Sequence, residues 1–131
     1  MTIPLWCLLC GVLLPLVWAF VSLPFRASQL GKVDLNQPRL QAAELTAGGA
    51  GAWGAQMNAW EALSIYMAAT LAAFMQGLDP AGLWATASMI WLAARALHGV
   101  AYIMEIAVLR VACFVTSTAM SLWIFGMAAI A

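Results

Sequence analysis

The chain has 131 residues and no formal net charge; 66% of its residues are hydrophobic and 8% are charged. Soluble domains are roughly half apolar and about a quarter charged, so this composition and a mean hydropathy of +0.96 exclude a water-soluble fold. The five basic residues are scattered, which excludes nucleic-acid binding. We therefore expect one all-α integral membrane domain, residues 1–131, in contact with membrane lipid.

The chain starts with an uncharged apolar run, Ile3 to Phe25, which is long enough to cross a bilayer at about 20 residues per crossing. Residues 1–6 carry no basic side chain and residues 21–26 contain no small-x-small cleavage site. We therefore expect a retained helix at about 3–25 rather than a cleaved signal peptide. Cys7 and Cys10 form a CxxC without a nearby His or acidic residue, which favours small buried side chains, and we predict no metal site.

A polar connection, residues 26–51, follows the first helix. It carries three basic and two acidic residues, and Gly31 and Pro38 act as helix breakers. The next apolar segment, about 52–77, predicts a second helix that carries three polar side chains in its first third. These are Gln56, Asn58 and Glu61.

The Gly77–Pro80 turn predicts a tight hairpin, with Asp79 as N-cap and Pro80 as the first residue of a third helix at about 80–105. A fourth helix at about 108–130 completes a predicted four-transmembrane-helix up-down bundle. Basic residues fall in the first and third connections, so the positive-inside bias places these connections in the cytoplasm and both termini on the non-cytoplasmic side.

Asn58 and Glu61 are three residues apart and share one helical face, with Gln56 beside it. Ionisable groups inside a membrane span are costly unless they are paired or face water. Two interpretations stay open. Either the amide and the carboxylate bond to Arg95 or Arg110 of a neighbouring helix and only hold the bundle together, or they line a binding site.

A second polar set consists of Arg95, His98, Tyr102 and Glu105, whose spacing places them on one stripe if the third helix continues past the membrane face. One interpretation is a solvated helix end in which Arg95 and Glu105 balance each other's charge. The other interpretation is a binding or catalytic site. Together with the second helix, these residues offer carboxylate, amide, guanidinium and phenol groups around one cleft. Such a set suits a small anionic or zwitterionic molecule with an oily end.

Three motifs connect these observations to a family. The segment AQMNAWEA, residues 55–62, contains the pattern N-x-x-E, NQPR precedes it, and RALHGVAY…LR follows around the third connection. With these motifs the sequence resembles the MAPEG superfamily, membrane-associated proteins in eicosanoid and glutathione metabolism, and in particular its bacterial branch. The resemblance covers most of the chain. It implies the protomer of a homotrimer in a bacterial inner (plasma) membrane, with glutathione as cosubstrate between adjacent subunits near the cytoplasmic face.

Carried over by position, the resemblance implies that Arg110, at the head of the fourth helix, is the catalytic residue that stabilises the glutathione thiolate. The second-helix polar residues would bind glutathione or be structural, and Tyr102 would contact the tripeptide. The candidate binding residues are Gln56, Asn58, Glu61, Arg95, His98 and Tyr102. The chain departs from the enzymatic eukaryotic members at Gly54, where they carry an arginine, and at Ala62, where they commonly carry an aromatic residue.

Two functions from different classes stay open. The first is a glutathione-dependent transferase or peroxidase that acts on hydrophobic electrophiles. The second is a non-catalytic lipid-binding or scaffold protein of the same fold. A transporter is disfavoured, because the charged groups are expected near one membrane face rather than at the midplane. The sequence does not indicate the substrate.

Overall fold

The computed structural model describes all 131 residues and contains helices but no strands. In chain order the helices are α1 (Ile3–Leu30), α2 (Pro38–Ala43), α3 (Ala47–Met75), α4 (Leu83–Ile103) and α5 (Ala107–Ala129). The predicted all-α class is confirmed. Four helices are long, and the additional one, α2, has six residues and lies within the polar connection.

Two of the long helices, α1 and α5, are long and apolar enough to cross a membrane by length and composition. A crossing takes about 20 residues, and α3 and α4 also meet that length, with 29 and 21 residues. Polar side chains such as Glu61 and Arg95 reduce the hydropathy of these two helices.

The first helix continues past Phe25, the predicted end, to Leu30 even though Pro24 lies inside it. It ends at Gly31, whose φ of 75° is a left-handed conformation that glycine adopts without steric cost. The predicted connection 26–51 therefore contains the end of α1, all of α2 and the beginning of α3. Residues 31–37 and 44–46 are the parts outside helices.

The hairpin between α3 and α4 also differs from the expectation. Helix α4 begins at Leu83, and Gly82 rather than Asp79 is its N-cap, so the predicted capping role of Asp79 is wrong. The Asp79 Oδ1 atom instead accepts a hydrogen bond from the Ala81 backbone N–H at 3.0 Å. Such a bond to the backbone two residues ahead forms an Asx turn, which delays the start of the helix.

The core lies between α3 and α4, with α1 packed on α3 and α5 packed on α4. Tyr66 of α3 stacks on Trp91 of α4 with ring centroids 3.9 Å apart. The Tyr66 hydroxyl donates to the backbone carbonyl of Pro4 in α1 at 3.2 Å. These contacts join three helices at the level where the chain begins, away from the polar connection.

Close helix approaches fix the opposite half of the bundle. Trp18 of α1 packs on Gly99 of α4, and the Gly51 backbone of α3 lies against the Tyr102 carbonyl; a Cβ on either glycine would overlap those atoms. Helices α1, α3 and α4 therefore meet at the level of Tyr102, among the polar residues that the sequence singled out.

Candidate functional site

A chain of hydrogen bonds joins α3 to α4. The Arg95 Nη2 atom donates to the Asn58 backbone carbonyl at 3.1 Å and to the Asn58 side-chain Oδ1 at 2.7 Å. The Asn58 Nδ2 atom donates in turn to a carboxylate oxygen of Glu61 at 3.1 Å. The i, i+3 spacing of Asn58 and Glu61 produces this geometry, because residues three apart are neighbours on a helix surface.

Arg95 is buried, with 2% of its surface exposed, and the Nε and Nη1 atoms of its guanidinium have no hydrogen-bond partner. The solvated-end interpretation is therefore wrong for Arg95. Asn58 accepts from one nitrogen of the guanidinium, and the other two nitrogens are buried without an acceptor. Burying a charged group without all of its hydrogen bonds costs free energy of folding. A further hydrogen-bond acceptor at the Arg95 guanidinium would therefore stabilise the bundle.

His98 lies one helical turn from Arg95 and is also 2% exposed. Its ring meets the Tyr102 ring edge-on at a centroid distance of 5.1 Å and lies 6.4 Å from the Phe114 ring of α5. The Nδ1 atom has no hydrogen-bond partner. His98 thus adds a second unsatisfied polar group to the same side of α4.

Tyr102 lies between α3 and Arg110. The guanidinium of Arg110 stands 4.6 Å from the centre of the Tyr102 ring, a cation–π contact. On the α3 side the ring packs on Gly54, where an added Cβ would lie 2.7 Å from Tyr102 Cε1. The absence of a side chain at Gly54 is thus the reason that Tyr102 fits against α3.

Tyr102 and Arg110 line a cavity of about 270 Å³, here called the turn pocket, with Ala50, Gly51 and Glu105. Glu105 is exposed and lies beyond the end of α4, with a left-handed φ of 58°. The predicted four-residue stripe is therefore wrong at its last member, because the helix ends at Ile103. Glu105 contributes a carboxylate at the mouth of the turn pocket.

Gln56 lies on a different side of α3 from Asn58, because residues two apart on a helix do not face each other. It lines a larger cavity of about 400 Å³ between α1, α2 and α3, here called the connection pocket. Trp53 and Trp60 of α3 and Phe20 of α1 supply much of the apolar wall. Within one protomer, Gln56 is thus separated from the other candidate residues.

The connection pocket has polar residues that the sequence reasoning did not select, Arg26 and Arg39. Arg26 is buried, and its Nη1 donates to the Pro38 carbonyl at 2.6 Å. Charge alone marked these arginines as cytoplasmic loop residues. Only the extension of α1 past Phe25 and the return of the chain through α2 bring them beside Gln56.

The loop before α2 is ordered by Asp34. Its Oδ1 accepts the backbone N–H groups of Asn36 and Gln37 at 2.8 and 3.1 Å. These two bonds hold the pKa of the Asp34 carboxyl below its usual range. The Gln41 Nε2 atom donates a further bond to the Lys32 carbonyl at 2.6 Å. The loop that lines one side of the connection pocket, residues 33–35, is therefore held in place by hydrogen bonds.

The candidate residues thus form two groups on different sides of α3. One group joins α3, α4 and α5 around Arg95 and the turn pocket and consists of Asn58, Glu61, Arg95, His98, Tyr102 and Arg110. The other is the connection pocket with Gln56. The first group offers guanidinium, imidazole and phenol groups, and the second offers apolar walls with two arginines.

Comparison with known proteins gives one finding on the family of this chain. The family model described as MAPEG family matches residues 3–130. Neither the curated proteins nor the solved structures contain a match. The family match covers nearly the whole chain, including every helix described above.

Proposed function

The chain belongs to the MAPEG family and is a membrane protein, and from this we propose that it is a glutathione-dependent transferase or peroxidase acting on hydrophobic electrophiles. Proteins of this family are generally associated with glutathione. In this proposal glutathione is the thiol cosubstrate, and the electrophile reaches the site from the surrounding lipid.

The proposed topology has four spans, α1, α3, α4 and α5. The two most apolar helices, α1 and α5, pack on opposite sides of the more polar pair. The polar connection and the α4–α5 turn would face the cytoplasm, and both termini the other side of a bacterial inner membrane. The positions of the basic residues support this orientation.

The observation that carries the proposal is the position of Arg110 over Tyr102 at the turn pocket. A guanidinium beside a thiol favours the ionised form, and the thiolate is the nucleophile. Tyr102 orients Arg110 through its ring face and is itself held against Gly54. Arg110 is therefore the proposed catalytic residue, and Tyr102 contacts the tripeptide beside it.

Binding of glutathione requires partners for its two carboxylates and its ammonium group. Arg39 and Arg26 line the connection pocket with Gln56, and arginine is well suited to carboxylates. Glu61 is exposed on the outer surface of α3 and is available to an ammonium group. The charges of these residues are therefore complementary to those of glutathione. Within one protomer, the residues lie in two separate groups.

A homotrimer would unite the two groups. In a ring, the connection pocket of one subunit packs against the Asn58–Glu61 side of the next, so that every junction carries a complete set of residues. The exposed carboxylate of Glu61 supports such an assembly, because a carboxylate facing lipid is unfavourable and a neighbouring subunit would cover it.

The first experiment is calorimetric titration of the detergent-purified protein with glutathione, with thiol ionisation followed by ultraviolet absorbance. We expect saturable binding and a lowered thiol pKa, and Arg110→Ala should weaken binding by about tenfold and remove the thiol shift. Lys32→Ala is the matched control, because it removes an exposed cation of the connection. Undiminished binding in both Arg110→Ala and Glu61→Ala would reject these residue assignments.

The alternative proposal is a non-catalytic lipid-binding or scaffold protein of the same fold. The observation that favours it is the Arg95–Asn58–Glu61 chain, which by itself accounts for three polar residues as links between helices. In that case Glu61→Ala would dissociate the oligomer in detergent, and glutathione at millimolar concentration would produce no binding heat in the unmodified protein.

A further inference from the structure

The turn pocket holds two opposite charges that are not paired with each other. Glu105 and Arg110 both line it, and no ion pair or hydrogen bond joins their side chains. The Arg110 guanidinium packs on the face of the Tyr102 ring and donates no hydrogen bond to the protein. A carboxylate and a guanidinium in one pocket are complementary to a ligand that carries an ammonium and an anionic group.

Backbone strain is concentrated at the same pocket. Ala47 and Glu105 are the two non-glycine residues of the chain with a positive φ, 46° and 58°, and both line the pocket. Such conformations destabilise a fold and cluster at ligand-binding sites. Glycine adopts a positive φ with less strain, so the carboxylate of Glu105 is present at a cost in stability. This cost is expected where the side chain binds a ligand.

In the four-span topology proposed above, the turn between α4 and α5 lies at the level of the lipid headgroups. Helix α4 has 21 residues, which gives a length of about 31 Å and matches the hydrocarbon core of a bilayer, about 30 Å thick. Residues 104–106 follow the end of this helix. The turn pocket is therefore expected at the boundary where the phosphate and ammonium groups of phospholipids lie.

An apolar surface of α5 begins beside the turn pocket. Four residues border a shallow cavity of about 460 Å³ on this helix, Ala107, Val108, Val111 and Ala112. Val108 and Val111 are 83% and 56% exposed. Ala107 and Arg110 are three apart and therefore neighbours on the helix, and Val111 lies one turn beyond Ala107. The apolar surface thus leads from the guanidinium into the region that acyl chains occupy.

We propose that the turn pocket and this apolar surface bind a phospholipid whose headgroup carries a primary ammonium, the chemistry of phosphatidylethanolamine. The ammonium donates to the Glu105 carboxylate, the phosphodiester accepts from the Arg110 guanidinium, and an acyl chain lies on Val108 and Val111. Phosphatidylglycerol has no cationic group, and the quaternary nitrogen of phosphatidylcholine has no N–H to donate, so neither forms the charged hydrogen bond to Glu105. Because Arg110 is also the proposed partner of the glutathione thiol, the lipid and glutathione would compete for it.

The test is native mass spectrometry of the full-length protein in detergent. The delipidated protein is incubated with an equimolar mixture of phosphatidylethanolamine, phosphatidylglycerol and phosphatidylcholine that carry identical dioleoyl chains, and the bound lipids are identified by mass. We expect the phosphatidylethanolamine adduct to exceed each of the other two by about fivefold or more, because only its headgroup pairs an N–H donor with Glu105 and a phosphate with Arg110.

Variants test each charge of the site. Glu105→Gln should bring the three adducts within about twofold of one another, because the amide carries no charge that selects the ammonium. Arg110→Gln should lower all three adducts by about tenfold, because the phosphodiester is common to the three lipids. Asp79→Asn is the matched control, because it removes an exposed carboxylate from the turn between α3 and α4. It should leave the lipid preference unchanged.

Equal adducts of the three lipids in the unmodified protein overturn the proposal, as does an undiminished preference in a folded Glu105→Gln protein. Displacement of the bound lipid by millimolar glycerophosphoethanolamine would indicate a site for the free headgroup and would also overturn it. No glutathione is present in these measurements, so the inference and the proposed function fail separately. Lipid selection without glutathione binding retains the lipid site and rejects the enzyme, and glutathione binding without lipid selection does the reverse.

Discussion

Tyr102 lies against the backbone of α3 because residue 54 has no side chain. The ring has Gly54 on one side and the Arg110 guanidinium on the other. A side chain at position 54 would occupy the space of this ring. The small residue at position 54 therefore leaves room for the aromatic ring that supports Arg110.

Gly54→Ala tests this arrangement. The new Cβ would stand 2.7 Å from Tyr102 Cε1, so the ring must shift and the support of Arg110 is lost. We expect the affinity for glutathione to fall by about fivefold. The higher helix propensity of alanine, taken alone, would raise the free energy of unfolding by up to about 1 kcal/mol. Calorimetry and thermal unfolding measure the two effects.

Gly126→Ala is the matched control, because a Cβ at this helical position of α5 meets no atom within 4 Å. It should leave glutathione affinity unchanged. Equal affinity in Gly54→Ala and the unmodified protein would contradict the role assigned to Tyr102.

Single residues also show what the sequence predicts and what it misses. The i, i+3 spacing of Asn58 and Glu61 is enough to predict that they share a face, and the family resemblance is confirmed by the match over residues 3–130. The bond to Arg95 is one of the two pairings left open. The burial of Arg95 could not be predicted from the sequence. Whether Arg95 lies inside the bundle or at its solvated end depends on where α4 ends, and the sequence pattern does not show that residue.

Helix ends have a recurrent form in this bundle. After α3, Leu78 N–H bonds to the Ala73 carbonyl at 3.0 Å, and after α4, Ile106 N–H bonds to the Ala101 carbonyl at 2.9 Å. Both are Schellman motifs, which require a left-handed residue just before the bonded N–H. The first motif uses Gly77, with φ 68°, and the second uses Glu105, with φ 58°.

Glu105→Gly should therefore stabilise the protein. A side chain in the left-handed region costs roughly 1–2 kcal/mol, part of which is offset by the greater freedom of glycine in the unfolded chain. We expect a gain of about 1 kcal/mol, seen as a higher unfolding midpoint in detergent. Glu105→Ala should give no such gain, and a lower midpoint for the glycine variant would argue against strain at this turn.

The loop before α2 should respond to acid. Backbone N–H bonds lower the folded-state pKa of Asp34 below its ordinary value of 3.8. Its stabilising contribution is therefore fully present above that value and is lost as pH falls through the lowered pKa. We expect limited proteolysis of residues 31–46 to accelerate when the pH is lowered below about 4.

Asp34→Asn is the comparison for this pH effect, because the amide oxygen still accepts the two N–H bonds but does not titrate. Cleavage of the variant should depend less on pH, when an acid-tolerant protease such as pepsin is used. Identical pH profiles for both proteins would exclude Asp34 as the titrating group.

The extent of the helices shows where sequence patterns stop being informative. Hydropathy falls at Arg26, yet α1 continues to Leu30, because backbone hydrogen bonding does not require apolar side chains. The Arg26 side chain turns back to the Ser22 hydroxyl and forward to the Pro38 carbonyl, so folding of the connection stabilises the extension. A local sequence pattern does not show partners that are distant in the chain. The short helix α2 was not predicted for the same reason.

At the scale of the whole molecule, the proposed ring can be tested by cross-linking. In a background with Cys7, Cys10 and Cys113 replaced by serine, we place cysteines at both Gln56 and Glu61, which lie on different sides of α3. Oxidation should produce a ladder of covalent dimer and trimer that stops at trimer, because a closed ring has no free junction. The products are separated by denaturing gel electrophoresis.

The two single-cysteine variants are the controls for this ladder. A head-to-tail junction pairs residue 56 with residue 61, so neither single variant should cross-link efficiently. Efficient dimers from Glu61→Cys alone would instead indicate that identical faces meet, which is inconsistent with the proposed junction.

The separation of Gln56 from Asn58 has a genetic consequence. If each junction takes one face from each of two subunits, a variant damaged on the Gln56 side and another damaged on the Asn58 side are both inactive alone. When they are expressed together, every mixed trimer contains one junction built from the two undamaged faces. Two loss-of-function alleles would then complement each other, which a site contained within one subunit would not allow.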